Sequence, residues 1–247
     1  MTKDHIVSSY DIDLKSLKAG IARMAGMVDD EIAGAIDALL KRNSDAAHAV
    51  VISDKAVDTL EIEIEQDATT ILALRQPVAE DLRQVLAALK ISGILERVGD
   101  FAANIAKRST VLNRHTPGVK VQPTLPEMAR RVRTLLQDAL DAYLDEDAEK
   151  ARDVWLADRH VDELYNSLFR ELLTYMMEDP RVITPCTHLL FIAKNLERMG
   201  DHATNIAEIV HFTVTGQPIE DSRPKGDDTS YAMVVPHTPP EPTGNRS

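Results

Sequence analysis

The sequence predicts an all-α protein made of two pseudo-symmetric three-helix bundles and a disordered C-terminal tail. The first observation is a repeat, because residues 95–106 (LERVGDFAANIA) return as residues 196–207 (LERMGDHATNIA). The second is a helical composition, rich in Ala, Leu and Glu, with only 4% aromatic residues and 10 glycines in 247 residues. The third is that no stretch alternates apolar and polar residues between turn signals, which argues against a sheet. A duplicated helical unit explains all three observations.

Three helices are predicted for the first half, residues 1–115. Apolar residues three and four apart across residues 14–39 predict one long amphipathic helix. Residues 43–45 (NSD) supply a turn and an N-cap candidate for a second helix that starts near residue 45 and continues into the seventies. Pro77 marks the start of a third helix that runs to about residue 111, because proline is tolerated in a first helical turn.

The second half, residues 118–215, repeats this pattern after a joint. Residues 113–126 contain three prolines and Gly118, which is typical of a linker. Asp179 and Pro180 predict the start of the third helix of this half. From residue 216 onward lie half of the 12 prolines. This last stretch cannot bury enough apolar surface to offset its ordering entropy, so residues 216–247 are predicted to be a disordered tail.

The composition limits the classes of function. The net charge of -12, from 28 basic and 40 acidic residues, argues against a nucleic-acid binder and suits cations or basic protein surfaces. The single cysteine, Cys186, excludes an intrachain disulfide and is expected to be a buried thiol. Neither a signal-peptide pattern nor a run of 18 apolar residues is present. We therefore expect a cytoplasmic protein without direct membrane insertion.

Two pairs of carboxylates recur in each half. Residues four apart on a helix point the same way, so the repeated segments each aim a glutamate and an aspartate at one spot. A second pair occurs on the second helix of each half. If the second and third helices are antiparallel neighbours, four carboxylates converge, and their repulsion calls for a metal ion or a protonated member. The predicted ligands are Asp54, Asp58, Glu96 and Asp100 in the first half and Asp158, Asp162, Glu197 and Asp201 in the second.

Oxygen-rich sites of this kind favour magnesium, calcium, manganese or iron, and zinc is also compatible. Asn104 and Asn205, one turn further along, are candidate extra ligands. The alternative interpretation is a solvated acidic face paired with nearby arginines. Gly99 and Gly200, inside the helices, indicate close approach by another backbone or by a ligand.

The two sites need not be equal. Glu61 and Glu65 extend the acidic stripe in the first half only, since their counterparts are Tyr165 and Phe169. The second copy also places Lys194 beside Glu197, which predicts that the acids line a groove at the bundle surface.

With these motifs, the chain resembles the PhoU family, the regulators of phosphate uptake, over about residues 10–213. The resemblance rests on residues 75–83 (RQPVAEDLR), on the twice-occurring pattern Leu-Glu-Arg-x-Gly-Asp, and on Asp179-Pro180 followed by residues 189–195. It implies two three-helix bundles with multinuclear clusters of divalent or trivalent metal ions, such as iron, zinc, manganese or magnesium. The carboxylates that match the family's motif are the eight named above.

The resemblance also implies a cytoplasmic adaptor. Such a protein relays the state of the phosphate ABC transporter, through its ATPase subunit, to a sensor histidine kinase, and represses phosphate-starvation genes when phosphate is abundant. We also expect a homodimer. The tail lies outside the usual family pattern, and its role stays open.

The alternative function is a carboxylate-bridged di-metal enzyme of ferritin-like kind. Such sites use a Glu-x-x-His pair from each of two helices. Glu208 and His211 fit once, but their repeat equivalents are Lys107 and Thr110. We therefore expect no enzyme activity, and no Gly-rich nucleotide loop is present.

Overall fold

The computed structural model describes residues 2–114 and 123–220, with side chains described from Tyr10 onward. Within these residues every regular element is helical, as predicted. The predicted disordered tail beyond residue 220 and most of the joint, residues 115–122, lie outside the described residues. The elements are α1 (Thr2–Leu40), α2 (Ser44–Arg75), α3 (Glu80–Arg114), α4 (Thr124–Asp145), α5 (Ala148–Ala157), α6 (Arg159–Glu178), a 3₁₀ turn (Pro180–Val182) and α7 (Ile183–Thr215).

Short polar side chains fix where the helices begin. The Asn43 side chain accepts hydrogen bonds from the backbone N–H groups of Asp45 and Ala46, both at 3.1 Å, so the N-cap of α2 lies in the predicted turn and is Asn43. Asp179 accepts from the N–H of Arg181 at 3.0 Å and starts the 3₁₀ turn that leads into α7. Gly216 ends α7 with φ of 73°, a left-handed conformation that glycine adopts without strain.

The second helix of the second half is interrupted at Asp158, which the sequence does not predict. α5 ends before this residue and α6 begins after it, yet Asp158 keeps right-handed helical dihedrals, with φ of -60° and ψ of -31°. The N–H of Val161 donates to the carbonyl of Asp158 at 2.9 Å, a tightened i to i+3 bond. α5 and α6 together therefore occupy the place that α2 has in the first half.

The two halves share one hydrophobic core. α1, α2 and α3 pack on one another, α4 to α7 do the same, and the halves meet where α3 packs on α7 and α1 packs on α4. The apolar stripe predicted on the third helix of each half is buried, as Leu95, Val98, Leu196 and Met199 illustrate. Each such side chain contributes about 1.5–3 kcal/mol of burial free energy.

A pseudo-twofold axis passes through the contact between α3 and α7. Phe101 and His202 occupy the same position in the two repeats, and their ring centroids lie 5.6 Å apart. Equivalent residues can contact each other only near the axis that relates the two copies. No helix of the described ranges combines the length and apolar character needed to cross a bilayer.

Candidate functional site

The first-half carboxylates come together between α2 and α3. Asp54 and Asp58 lie one turn apart on α2, and Glu96 and Asp100 lie one turn apart on α3. The pKa of Glu96 is raised, first by burial and then by repulsion from Asp100 and Asp58. The pKa of Asp54 is raised in the same way, by burial and then by repulsion from Asp58 and Asp100. The four predicted residues of this half therefore act on one another electrostatically across the two helices.

A fifth carboxylate, Glu31 of α1, joins this group and was missed by the sequence reasoning. Glu31 is only 4% exposed, and its Oε1 accepts a hydrogen bond from the Ser53 hydroxyl at 2.9 Å. Its Oε2 is buried without a hydrogen-bond partner. Burial raises the pKa of Glu31 to about 7, with the Ser53 hydrogen bond opposing the shift and Asp54 and Asp58 adding to it. We call these five residues the first cluster.

A signal for Glu31 was present in the sequence. The buried stripe of α1 follows three-and-four spacing, and Glu31 takes one of its positions, between Val28 and Ala35. An acid at a core position of an amphipathic helix is rare and marks a special environment. The acid is not repeated in the second half, where the counterpart of Glu31 is the apolar Leu135. A search for acids that recur in both halves therefore does not find it.

Gly99 of α3 makes room for this cluster. A Cβ atom at Gly99 would lie 3.1 Å from Asp54 Oδ1 and 3.3 Å from Glu31 Oε2. Both oxygens are buried without a hydrogen-bond partner. The close approach inferred from the sequence is therefore made by carboxylate oxygens of α1 and α2, not by a second backbone. Two buried oxygens without donors beside one point of α3 are suited to a cation.

The first cluster opens to solvent. Asp58 and Asp100 are exposed, whereas Asp54 and Glu96 are half-buried. Glu61 borders the cluster, and its pKa is raised by burial, then by Glu65 and Asp58. Among the described residues, no three Asp, Glu, His or Cys side chains already stand at the spacing of a single bound metal ion. Ion binding would therefore require rotation of the exposed aspartates.

The second-half carboxylates are placed differently and form what we call the second cluster. Asp158, Asp162 and Glu197 are 2%, 4% and 5% exposed, and Asp201 is half-buried. The expected surface groove therefore describes the first cluster, and it is wrong for three of the four acids in the second. Gly200 repeats the role of Gly99, since a Cβ there would lie 2.7 Å from Asp158 Oδ1.

Lys194 explains how Glu197 of the second cluster tolerates burial. Its Nζ lies 2.8 Å from Glu197 Oε1 and 4.9 Å from the centre of the Tyr165 ring. The corresponding first-half residues are Gly93 and Glu61, so neither the ammonium nor the ring has an equivalent there. Burying a carboxylate costs much less free energy when a cation lies beside it, and the Lys194 ammonium is that cation for Glu197.

The remaining predicted side chains have smaller roles. Asn104 is exposed and Asn205 is half-buried, one turn beyond the cluster aspartates, where the sequence places them. Glu208 Oε1 accepts a hydrogen bond from Trp155 Nε1 at 2.9 Å, and His211 Nδ1 lies 3.1 Å from the Gln217 carbonyl oxygen. In these contacts the two side chains of the Glu-x-x-His pair have hydrogen-bond partners other than the carboxylates of the clusters. Cys186 is buried, and burial raises the pKa of its thiol.

The chain is similar in sequence to a known protein family. The pattern of the PhoU domain matches residues 21–109 and again residues 125–210. A phosphate-specific transport system accessory protein PhoU homolog of Caulobacter vibrioides is 51% identical over 224 residues, covering 91% of this chain and 97% of that protein.

Solved structures agree with the sequence match. The crystal structure of PhoU from Pseudomonas aeruginosa superposes with a TM-score of 0.81 at 35% identity, covering 84% of this chain and 100% of that one. The phosphate transport system regulatory protein PhoU from Streptococcus pneumoniae gives a TM-score of 0.79 at 27% identity, covering 85% of this chain and 99% of that one.

Proposed function

This chain belongs to the PhoU family, and we propose that it regulates phosphate uptake as a metal-binding adaptor in the cytoplasm. At the coarser level the chain is an accessory protein of phosphate transport and not an enzyme. At the finer level, the proposal is that it docks on the ATPase subunit of the phosphate transporter and on a sensor histidine kinase. It would thereby repress the starvation response when phosphate is abundant.

The metal part of the proposal depends mainly on one observation. Asp54 Oδ1 and Glu31 Oε2, both buried without hydrogen-bond donors, lie beside Gly99. A hard cation would satisfy both oxygens and the mutual repulsion of the cluster. The proposed ligands of the first half are the five acids of the first cluster, of which Asp58 and Asp100 would rotate inward. A bound ion would link α1, α2 and α3, which is a structural role and no catalysis.

The second cluster offers Asp158, Asp162, Glu197 and Asp201, but Lys194 already supplies one positive charge. A metal ion that binds there must compete with the Lys194 ammonium for Glu197. We therefore propose that the first cluster binds metal more tightly than the second. Carboxylate ligands fit magnesium, manganese, iron or zinc, and elemental analysis of protein purified without added metal identifies which is native.

Isosteric substitutions test the metal assignment. We expect Asp100→Asn with Asp201→Asn to lower the metal content of the purified protein, because each removes one ligand charge. Asp100→Asn alone should lower it more than Asp201→Asn alone. Circular dichroism should show nearly unchanged helix content, since the replaced side chains are exposed or half-buried. Unchanged metal stoichiometry in the double variant would refute the metal assignment.

The adaptor role has a separate test. Pull-down from membranes with the full-length chain should recover the transporter ATPase and the sensor kinase, and deletion of the gene should switch on starvation genes in phosphate-rich medium. Recovery of neither partner, together with unchanged phosphate control, would count decisively against the adaptor. The expected homodimer stays a prediction that light scattering of the purified protein checks.

A further inference from the structure

A row of arginine and aromatic side chains lies along the contact between α3 and α7. It borders the first cluster at Arg97, whose charge opposes the rise in the pKa of Glu96. We call it the seam surface and define it by Arg97, Phe101 and Arg108 on α3 and by Phe191, Arg198 and His202 on α7. Arg97, Phe101 and Arg108 stand four and eleven residues apart, so they return to one face of α3. The three residues on α7, at intervals of seven and eleven, do the same.

Contacts across the two helices make this a continuous surface. The Arg108 guanidinium lies 4.2 Å from the centre of the Phe191 ring, and its Nη1 is 3.4 Å from His188 Nδ1. One stretch further along, the Arg198 guanidinium lies 6.0 Å from the centre of the Phe101 ring, which stacks on His202. Each helix contributes a cation to a ring of the other. Eleven residues of helix extend the surface over about 16 Å.

The charge of the seam surface is opposite to that of the whole chain. Arg97, Arg108 and Arg198 form no salt bridge with any carboxylate of the described residues, although the chain has 40 acidic residues. Several arginines elsewhere are paired with carboxylates, as Arg75 with Asp13 and Arg133 with Asp29 show. The pKa of Arg108 is lowered by burial, as is typical of a cation without a nearby counter-ion.

We propose that the seam surface is the docking site for an acidic patch of a partner protein. The partner would supply carboxylates for the salt bridges that these arginines do not form within the described residues. Guanidinium groups bind carboxylates with paired hydrogen bonds, and arginine and aromatic residues dominate the binding energy of protein interfaces. Read with the proposed function, on which this last step rests, the acidic patch belongs to a protein of the phosphate-transport or sensor complex.

The geometry favours a protein over other anionic surfaces. A free anion occupies only a few ångströms, whereas these arginines are distributed along two helices. Membrane-binding patches use flexible clusters of about four to eight Lys and Arg side chains, but here the guanidinium groups of Arg108 and Arg198 lie over aromatic rings. Arg97 and Arg198 are repeat equivalents on either side of the Phe101 and His202 contact, so the partner meets a pair of related cations.

Site-specific photo-crosslinking in living cells tests the inference. A photo-reactive amino acid replaces Phe191, which is 50% exposed, and a matched control replaces Leu156 of α5, which is 48% exposed. We expect the probe at residue 191, and not the one at residue 156, to crosslink to a protein whose linked peptide is rich in Asp and Glu. Mass spectrometry identifies that peptide.

Charge reversal of the arginines provides the second part of the test. Arg108→Glu and Arg198→Glu should each lower the crosslink yield about tenfold, the change expected when a charged contact worth about 1.4 kcal/mol or more is lost. Arg170→Glu makes the same charge change on the exposed face of α6 and should leave the yield unchanged. Arg198→Lys should give a crosslink yield between those of the wild type and Arg198→Glu, because lysine keeps the positive charge but lacks the planar guanidinium group. Circular dichroism and metal content of each variant confirm folding.

Several outcomes would overturn the inference. A residue-191 crosslink to lipid would assign the surface to a membrane, and one to a second copy of this chain would assign it to self-association. No crosslink, or a yield unaffected by both reversals, would also refute it. A crosslink to an acidic peptide of some protein other than the transporter ATPase or the sensor kinase would support the docking site while contradicting the adaptor proposal.

Discussion

Glu31 shows how one side chain can make stability depend on pH. Its pKa is raised from an ordinary 4.5 to about 7, chiefly by burial, so the folded state favours the protonated acid. The stabilisation from this protonation is complete below about pH 4.5 and is lost as the pH rises through 7. In metal-free protein, Glu31→Gln should therefore raise the free energy of unfolding by about 1–3 kcal/mol at pH 8 and change it little at pH 4.5.

Urea unfolding in the presence of a chelator measures this difference at both pH values. Glu178→Gln, which removes an exposed carboxyl at the end of α6, is the control and should leave the pH profile as in the wild type. If Glu31→Gln shows the same pH dependence as the wild type, Glu31 is not the buried acid described above.

Two glycines of α3 differ in whether there is space for a side chain. A Cβ at Gly99 would press on the carboxylates of Asp54 and Glu31, whereas a Cβ at Gly93 would meet no atom within 4 Å. We expect Gly99→Ala to lower the free energy of unfolding by about 1–3 kcal/mol through overpacking. Gly93→Ala on the same helix should raise it by up to about 1 kcal/mol, because alanine loses less backbone entropy.

Thermal unfolding of the two variants decides this prediction. Equal and favourable shifts for both would mean that the carboxylates move aside without cost, and that Gly99 is not required by the first cluster.

At the scale of elements, the start of α2 depends on one side chain. Asn43 accepts two backbone hydrogen bonds, so Asn43→Ala should cost about 1 kcal/mol of stability. Asn43→Asp retains the acceptor and adds a negative charge at the positive end of the helix dipole, and it should be close to neutral. Differential scanning calorimetry compares the two variants, and equal destabilisation by both would contradict the capping role.

Local signals in the sequence were sufficient for most helices. The caps at Asn43 and Asp179 and the apolar stripes set the element order, because each signal acts within one or two turns. The interruption at Asp158 has no such signal, since neither glycine nor proline occurs there. It coincides instead with the close approach of the Asp158 side chain to Gly200 of α7, a tertiary contact.

The clusters were predictable to the extent that the repeats agree. The paired acids of the second and third helices recur in both halves, so their convergence between α2 and α3 follows from helix geometry. Glu31 does not recur in the second half, and the ion pair between Lys194 and Glu197 has no first-half equivalent. Comparing the repeats therefore identified what the two halves share and missed what distinguishes them.

At the scale of the whole molecule, the two halves differ in how they balance charge. The first cluster has five carboxylates, and no salt bridge within the described residues joins them to a cation. Arg97 and Lys107 act on Glu96 and Asp54 only through weaker charge interactions that lower their pKa values. The second has four carboxylates with the Lys194 ammonium bound to Glu197. If metal binds as proposed, its removal should destabilise the first half more than the second.

Metal removal tests this difference. A chelator should lower the thermal unfolding midpoint of the wild type and of Asp201→Asn, and it should have a smaller effect on Asp100→Asn. A free metal concentration of 100 times the dissociation constant adds about 2.7 kcal/mol to the free energy of unfolding. Calorimetry resolves a change of this size. Equal chelator effects on the two variants would contradict the proposed preference for the first half.

The contact between Phe101 and His202 shows what a repeat within one polypeptide permits. In a symmetric dimer of identical chains, a residue on the twofold axis faces its own copy, so every substitution there occurs twice. Two repeats in one chain are free of this constraint, and the axis here pairs a benzyl ring with an imidazole. The same freedom lets one half carry the Lys194 ammonium and the other the additional acid Glu31, a difference that identical subunits cannot have.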